Sequence, residues 1–399
     1  MPQLDRTPER EASLVGLEVA RFIAALGVLL WHYQHFYYTG TDGPNYQMEQ
    51  QPLYWLLWPF YRSGFVAVPV FWSISGFIFH HKYANQISTK RVSARRFWLL
   101  RFTRLYPLHF VTLLLVAALQ WSYTAIVGSG FVYGHQDLRH FVLQLFLASS
   151  WHLFEKGPSY NGPIWSVSVE ILVYAWFFGL RRFQLGKPPV LMLVVVVTAL
   201  LSALKLADTP ITRCICLFEL GALLSWSYRW LSERFSLRAL QLTATALFVG
   251  AASCCVLVPA LRRLPATVLS VPLAPLFVLL LLLTVRPRSA RVIEVLTRLG
   301  NTTYSSYLIH FPLQLIIMLA VVRHPGSLPV QSPWFLAAFV LAVFVLGERV
   351  YQLFEKPVQD LLRARFVSGQ PVQRVTHESD GTALSETHSD ESRTIGHPT

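Results

Sequence analysis

Charge is what this chain has least of. Only 14% of its 399 residues are charged while 53% are hydrophobic, and the mean hydropathy is +0.43. A water-soluble fold of this length needs a more polar surface, so the composition points to a polytopic membrane protein. Acid is scarcer than base, 21 Asp and Glu against 34 Lys and Arg, giving a formal charge of +13. That excess would suit nucleic acid only if it were gathered on a soluble face, so its location decides. Cysteine is also sparse. Cys214, Cys216, Cys254 and Cys255 all fall in apolar segments without zinc-site spacing, so they read as packing residues and no metal is expected. A cleavable leader is not apparent either. The first apolar run, Leu14 to Tyr38, is too long for a signal-peptide core and lacks a small-residue cleavage site, so it is expected to remain as a first span. No solenoid-type repeat is visible.

Long hydrophobic runs are what the chain does have. Stretches of about 20 residues, the length that crosses a bilayer, occupy 14–38, 62–81, 101–121, 163–181, 189–206, 211–228, 238–258, 267–285, 302–322 and 334–354. The expected fold is an all-α, polytopic bundle of about ten transmembrane helices in one domain over 14–360. A short N-terminal segment, 1–13, precedes it, and a tail, 361–399, polar and without aromatics from 368 on, is expected to be disordered. The apolar but short stretch 140–154 reads as interfacial or re-entrant. With the N-terminus inside, the inner connections collect Lys82, Lys90, Arg91, Arg95, Arg96, Arg181, Arg182, Lys187, Arg229, Arg234, Arg238, Arg286, Arg288, Arg291 and Arg298. The outer connections hold fewer basic residues, which favours both termini in the cytoplasm. The lipid bilayer thus accounts for the basic excess, and no nucleic-acid partner is expected.

Against this background a few polar residues sit where lipid penalises them. In "EVARFIAALGVLLWHYQHF" (18–36), Arg21 and His32 fall within about 20° of each other around a helix and roughly 16 Å apart along it. An arginine near a helix centre costs on the order of 2.5–3.5 kcal/mol, so the pair either lines a polar cavity or snorkels to opposite surfaces. Glu18 is placed to pair with Arg21 at i+3, and His35 reads as an interface anchor. Arg101 and Arg104, at i and i+3 in "RRFWLLRFTRLYP" (95–107), share a face and either grip phosphates bidentately or flank the span as ordinary inner charges. Glu170 and Ser166 share a face of "NGPIWSVSVEILVYAWF" (161–177), which leaves a base, a protonated acid or a structural ion pair open. In "NTTYSSYLIHFPLQL" (301–315), His310 precedes Pro312 and has Ser306 and Tyr307 on its face, and it is either catalytic or a satisfied interior histidine.

Taken together, these segments resemble the acyltransferase 3 family of integral membrane O-acyltransferases. The resemblance rests on Arg21-x10-His32, "FWSISGFIF" (71–79), Arg101-x-x-Arg104 followed by "LYP", "GPIWSVSVEILVY" (162–174), "YSSYLIHFPL" (304–313) and the closing "FEKP" (354–357), in the family's order. Two departures stand out. The usual "LDGLRA" start reads "LEVARF", and Pro69 occupies the acidic position of the run before "SGF", so no acid acts there.

The resemblance implies transfer of an acyl group, commonly acetyl, from acyl-CoA to a hydroxyl of a glycan, glycolipid or macrolide acceptor, in a bacterial cytoplasmic membrane. On that basis His32 is expected as general base, Glu170 as the group that orients it or carries charge during transfer, Arg101 and Arg104 as phosphate ligands, and Arg21 along the pantetheine route. Trp165, Ser166, Tyr307 and His310 are expected to contact substrate. A thioester is already activated, so the protein's tasks are to deprotonate the alcohol, hold both partners and stabilise the oxyanion. Two other readings use the same charges. A transporter or flippase would line a path with them, and a sensor would need no paired arginines beside a cavity.

Overall fold

The computed structural model describes residues 8–38, 40–43, 46–151, 157–262 and 264–367. Helices dominate: α1 (Pro8–His32), α2 (Tyr54–Ser63), α3 (Ala67–Ser88), α4 (Ala94–Val127), α5 (Leu138–Leu145), α6 (Trp165–Arg182), α7 (Pro188–Ala203), α8 (Pro210–Ser232), α9 (Leu237–Leu257), α10 (Pro259–Arg262), α11 (Ala266–Thr284), α12 (Ala290–Asn301), α13 (Thr303–Ala320), α14 (Pro333–Val350) and α15 (Lys356–Phe366). Among the described residues no extended strand forms, and eight helical segments are long and apolar enough to cross a membrane. The protein is an all-α, multi-pass membrane bundle. Each of the ten expected spans falls on a helix. The two outside the eight are α7, which has only 16 residues, and α8, whose 23 residues include Arg213, Glu219 and Arg229.

α1 is the central element, packing against α3, α11, α12 and α13. Its first half, through Leu17, Ala20 and Ala24, belongs to an apolar cluster with Phe77, Phe97, Phe177 and Phe218. Its second half, through Leu29 and Leu30, joins another with Leu113, Phe311 and Leu315. The polar residues of interest lie between these two dry regions. α3 and α8 meet through glycines: a Cβ on Gly76 would overlap the Phe218 carbonyl, and one on Gly221 the Ser73 carbonyl. Small residues let backbones approach where lipid supplies no hydrophobic drive.

Two buried polar groups of the bundle show how partners are supplied in an apolar surround. Pro312 has no N–H to offer Leu308 at i−4, and that carbonyl accepts from Asn161 Nδ2 at 3.2 Å instead. Arg181 and Glu219 pair at 3.1 Å between α6 and α8, both nearly without exposure, and Trp176 donates to the same carboxylate.

Two expectations change. The proline of "FEKP", a residue expected to stop the last helix at the inner surface, does not end it. A π-turn (Tyr351–Glu355) leads into α15, with Pro357 in the first turn, where its missing N–H is harmless. Residues 361–366, assigned to the disordered tail, are therefore helical, while 368–399 lie outside the described residues. Within 140–154 the only regular element among the described residues is the end of α5, tied to α4 by His109 Nε2 donating to the Gln144 carbonyl at 2.7 Å.

Candidate functional site

Because α1 runs unbroken from Pro8 to His32, the helical rise of about 1.5 Å per residue holds between Arg21 and His32. Beside Arg21 opens a cavity of about 420 Å³. Its wall takes Glu18 and Arg21 from α1, Lys82 and Tyr83 from α3, Arg101 and Arg104 from α4, Glu170 and Tyr174 from α6, Tyr304 and Tyr307 from α13, and Arg363 from α15. Five cationic side chains against two carboxylates make this mouth an attractor for polyanions.

Each of the three expected arginines is braced. Arg21 Nη1 donates to both carboxylate oxygens of Glu18, at 3.1 and 2.9 Å, as the i, i+3 spacing predicts. Arg101 Nη2 donates to Tyr83 Oη at 2.8 Å, and its guanidinium lies 4.8 Å from the centre of the Phe79 ring. Arg104 Nη1 stands 3.9 Å from Glu355 Oε1, a carboxylate only 3% exposed that also accepts from Ser305 Oγ. Held planar groups of this kind lose little freedom on gripping a phosphate. Glu170 is half-buried beside the hydroxyls of Ser75 and Tyr174, and its Oε1 makes no hydrogen bond.

The far wall of the cavity is Ser166 and Tyr307. Tyr307 Oη donates to the Pro163 carbonyl at 2.6 Å, so its oxygen accepts from Ser166 Oγ at 2.9 Å. Behind this pair stands His310, and behind it His32. His310 Nδ1 lies 2.7 Å from the Tyr307 carbonyl, and His310 Nε2 lies 3.1 Å from His32 Nδ1. A carbonyl only accepts, so His310 Nδ1 carries the proton and neutral His310 offers a lone pair at Nε2. His32 Nδ1 must then be the donor, which leaves His32 Nε2 unprotonated. The backbone of α13 thus selects the tautomer of a side chain on α1. The rings stack at 4.9 Å between centroids. Gln314 completes the arrangement: its Nε2 donates to the His32 carbonyl at 2.9 Å, and its Oε1 accepts from His35 Nδ1 at 3.1 Å.

The structure therefore gathers Arg21, Arg101, Arg104, Glu170, Ser166 and Tyr307 around one cavity, with His310 and His32 adjoining it. Four expectations need correction. Arg21 and His32 do not face one open hollow, because the Ser166–Tyr307 pair stands between the cavity and the histidines. Glu170 is not the partner of His32; His310 is, since it reaches across from α13 while Glu170 sits a turn below Ser166. Trp165 packs edge-on against Trp72 at 5.9 Å and is not part of the cavity wall. His35, expected as an interface anchor, is buried and bonded to Gln314.

Sequence reasoning missed Gln314, Glu355, Lys82, Tyr83 and Arg363. Gln314 carried a readable signal, being polar, mid-span and four residues beyond His310. Glu355 lies in the quoted "FEKP". Lys82 and Tyr83 sit among ordinary flanking residues and carried none.

Residues 14–347 match the acyltransferase 3 family, described as an acyltransferase domain. Acyltransferase MdmB of Streptomyces mycarofaciens is 29% identical over 174 residues, covering 43% of this chain and 40% of MdmB. Protein 2 in the picA locus of Rhizobium radiobacter is 26% identical over 208 residues, covering 49% of this chain and 95% of that protein. The chain thus spans less than half the length of MdmB, and no solved structure matches. With its match running through nearly the whole membrane region, the chain belongs to the acyltransferase 3 family.

Proposed function

We propose that the protein transfers an acyl group, acetyl in the simplest case, from acyl-CoA to a hydroxyl of a carbohydrate-containing acceptor. The observation that carries this reading is the adjacency of a polycationic cavity to a histidine whose tautomer is preset. Acyl-CoA enters from the basic end, which we take as cytoplasmic in a bacterial inner membrane with both termini on that side. Arg101 and Arg104, helped by Lys82 and Arg363, hold the phosphates. The pantetheine arm runs past Arg21 toward Ser166 and Tyr307, a path comparable with the roughly 16 Å between Arg21 and His32.

The acceptor hydroxyl approaches His32 Nε2, which takes its proton, and the alkoxide attacks the thioester carbonyl. CoA thiolate leaves and is protonated by the imidazolium. Histidine suits both transfers because its unperturbed pKa, about 6.5, lies near working pH. Tyr307 and Ser166 are committed to Pro163 and to each other in this structure. Their hydroxyl pair must part, and the His310 ring behind it must give way, to let the thioester meet His32, so they serve as a partition that substrate opens. Glu170 acts from the cavity wall rather than on the histidine.

The test is equilibrium binding of acetyl-CoA to purified full-length protein. Wild type should saturate, and Arg101→Ala/Arg104→Ala should weaken binding by at least about tenfold, the loss of two charge-assisted contacts. Equal binding by both proteins overturns the assignment.

A further inference from the structure

A second cluster of chemistry-bearing side chains lies outside this site, at the end of the α4–α5 loop and in the first turn of α5. His135, Asp137 and His140 each offer a ligand atom, and the three atoms lie within 4.8 Å of one another. His140 is 4% exposed. Its Nδ1 lies 2.6 Å from Asp137 Oδ2, and a carboxylate only accepts, so Nδ1 carries the proton. The lone pair of His140 then sits on Nε2, and that atom is buried without any hydrogen-bond partner. A histidine turned by a carboxylate to present a bare Nε2 is the form in which proteins offer imidazole to a metal. The second imidazole is already beside it: the rings of His135 and His140 stack at 4.5 Å and 17°.

The surrounding chain is pinned independently of any ligand. Tyr160 Oη donates to the carbonyls of Gln136 and Asp137, at 2.7 and 3.2 Å. Gln136 is held by Gln120, Thr124 and the Tyr133 carbonyl. Gly157 backs onto His135, where a Cβ would crowd the ring.

We propose that His135 and His140 bind a borderline-soft divalent cation of the Zn²⁺ class, with Asp137 as the outer partner that holds His140 Nδ1–H and turns Nε2 to the ion. Imidazoles are donors such ions prefer, and hard oxygen-seeking ions do not. The two rings stack in this structure, so one must rotate to bring both lone pairs onto the ion at about 2.0–2.1 Å. Water fills the remaining positions. Tyr133, two residues before His135, packs edge-on against His35 at 5.9 Å, so a bound ion would stiffen the loop that covers the histidine end of the bundle.

The experiment titrates ZnCl₂ and CoCl₂ into full-length protein purified without a polyhistidine tag. Calorimetry reads stoichiometry, and Co²⁺ ligand-field absorption reads the donor set. One equivalent per chain is expected, with the cobalt spectrum of a low-coordinate nitrogen–oxygen site. His135→Gln, at a half-exposed position that folding tolerates, and His140→Ala should each weaken binding at least tenfold and abolish that spectrum. Absence of stoichiometric binding, or binding unchanged in His135→Gln, overturns the proposal.

Discussion

Replacing His310 by phenylalanine tests the tautomer argument at its weakest joint. The substitution keeps a ring in the apolar cluster but removes the acceptor at 3.1 Å from His32 Nδ1 and the donor to the Tyr307 carbonyl. If His310 were only a satisfied interior residue, the loss would be two ordinary hydrogen bonds, about 0.5–1.5 kcal/mol each, felt in stability. If it presets His32, the freed imidazole loses both its fixed tautomer and its fixed orientation, and base catalysis suffers with them. General acid–base catalysis contributes about 10²–10⁴-fold, so the rate of acyl transfer should fall by at least about 100-fold. Acetyl-CoA binding should stay within about twofold, because no residue holding the phosphates is touched. His310→Gln can accept from His32 and donate to Tyr307, and it should recover part of the rate. The assay is complementation of a deletion strain, read by mass spectrometry of acylated surface glycans and secreted metabolites, beside acetyl-CoA binding to the purified variants. A His310→Phe protein that acylates at the wild-type rate refutes the reasoning, as does a Gln variant no better than Phe.

Two further predictions concern the bundle. Glu219→Ala strands Arg181 as a buried, uncompensated charge, a loss of about 3–5 kcal/mol, so the variant should melt well below wild type in detergent. Arg181→Met/Glu219→Leu should restore most of that stability. Gly221→Leu drives a side chain into the Ser73 backbone, and overpacking of about 1–3 kcal/mol should lower the melting temperature by several degrees. Gly179→Ala, where nothing lies within reach of a Cβ, should leave it unchanged.

What the sequence made legible was what depends on one helix at a time. The Glu18–Arg21 pair follows from i, i+3 spacing, the shared face of Arg101 and Arg104 follows likewise, and the apolar runs mark the spans. What it hid was the meeting of helices. His32 and His310 stand 278 residues apart, and only the packing of α13 on α1 sets one against the other. Glu170 drew attention as the nearest acid in a span, yet contact across the bundle gave its expected task to a histidine. Glu355 was concealed in another way, since the π-turn that aims it at Arg104 leaves no periodicity to read. The His-x-Asp-x-x-His pattern at 135–140 lay in plain view. Its ligand geometry depends on Tyr160 and Gln120, which no local motif connects to it.

The most direct measurement is acyl transfer by His32→Ala protein in proteoliposomes with acetyl-CoA saturating, alongside acetyl-CoA binding to the same preparation. The account predicts binding within about twofold of wild type and a transfer rate lower by at least about 100-fold. Transfer at the wild-type rate, or a defect confined to acetyl-CoA binding, would contradict it.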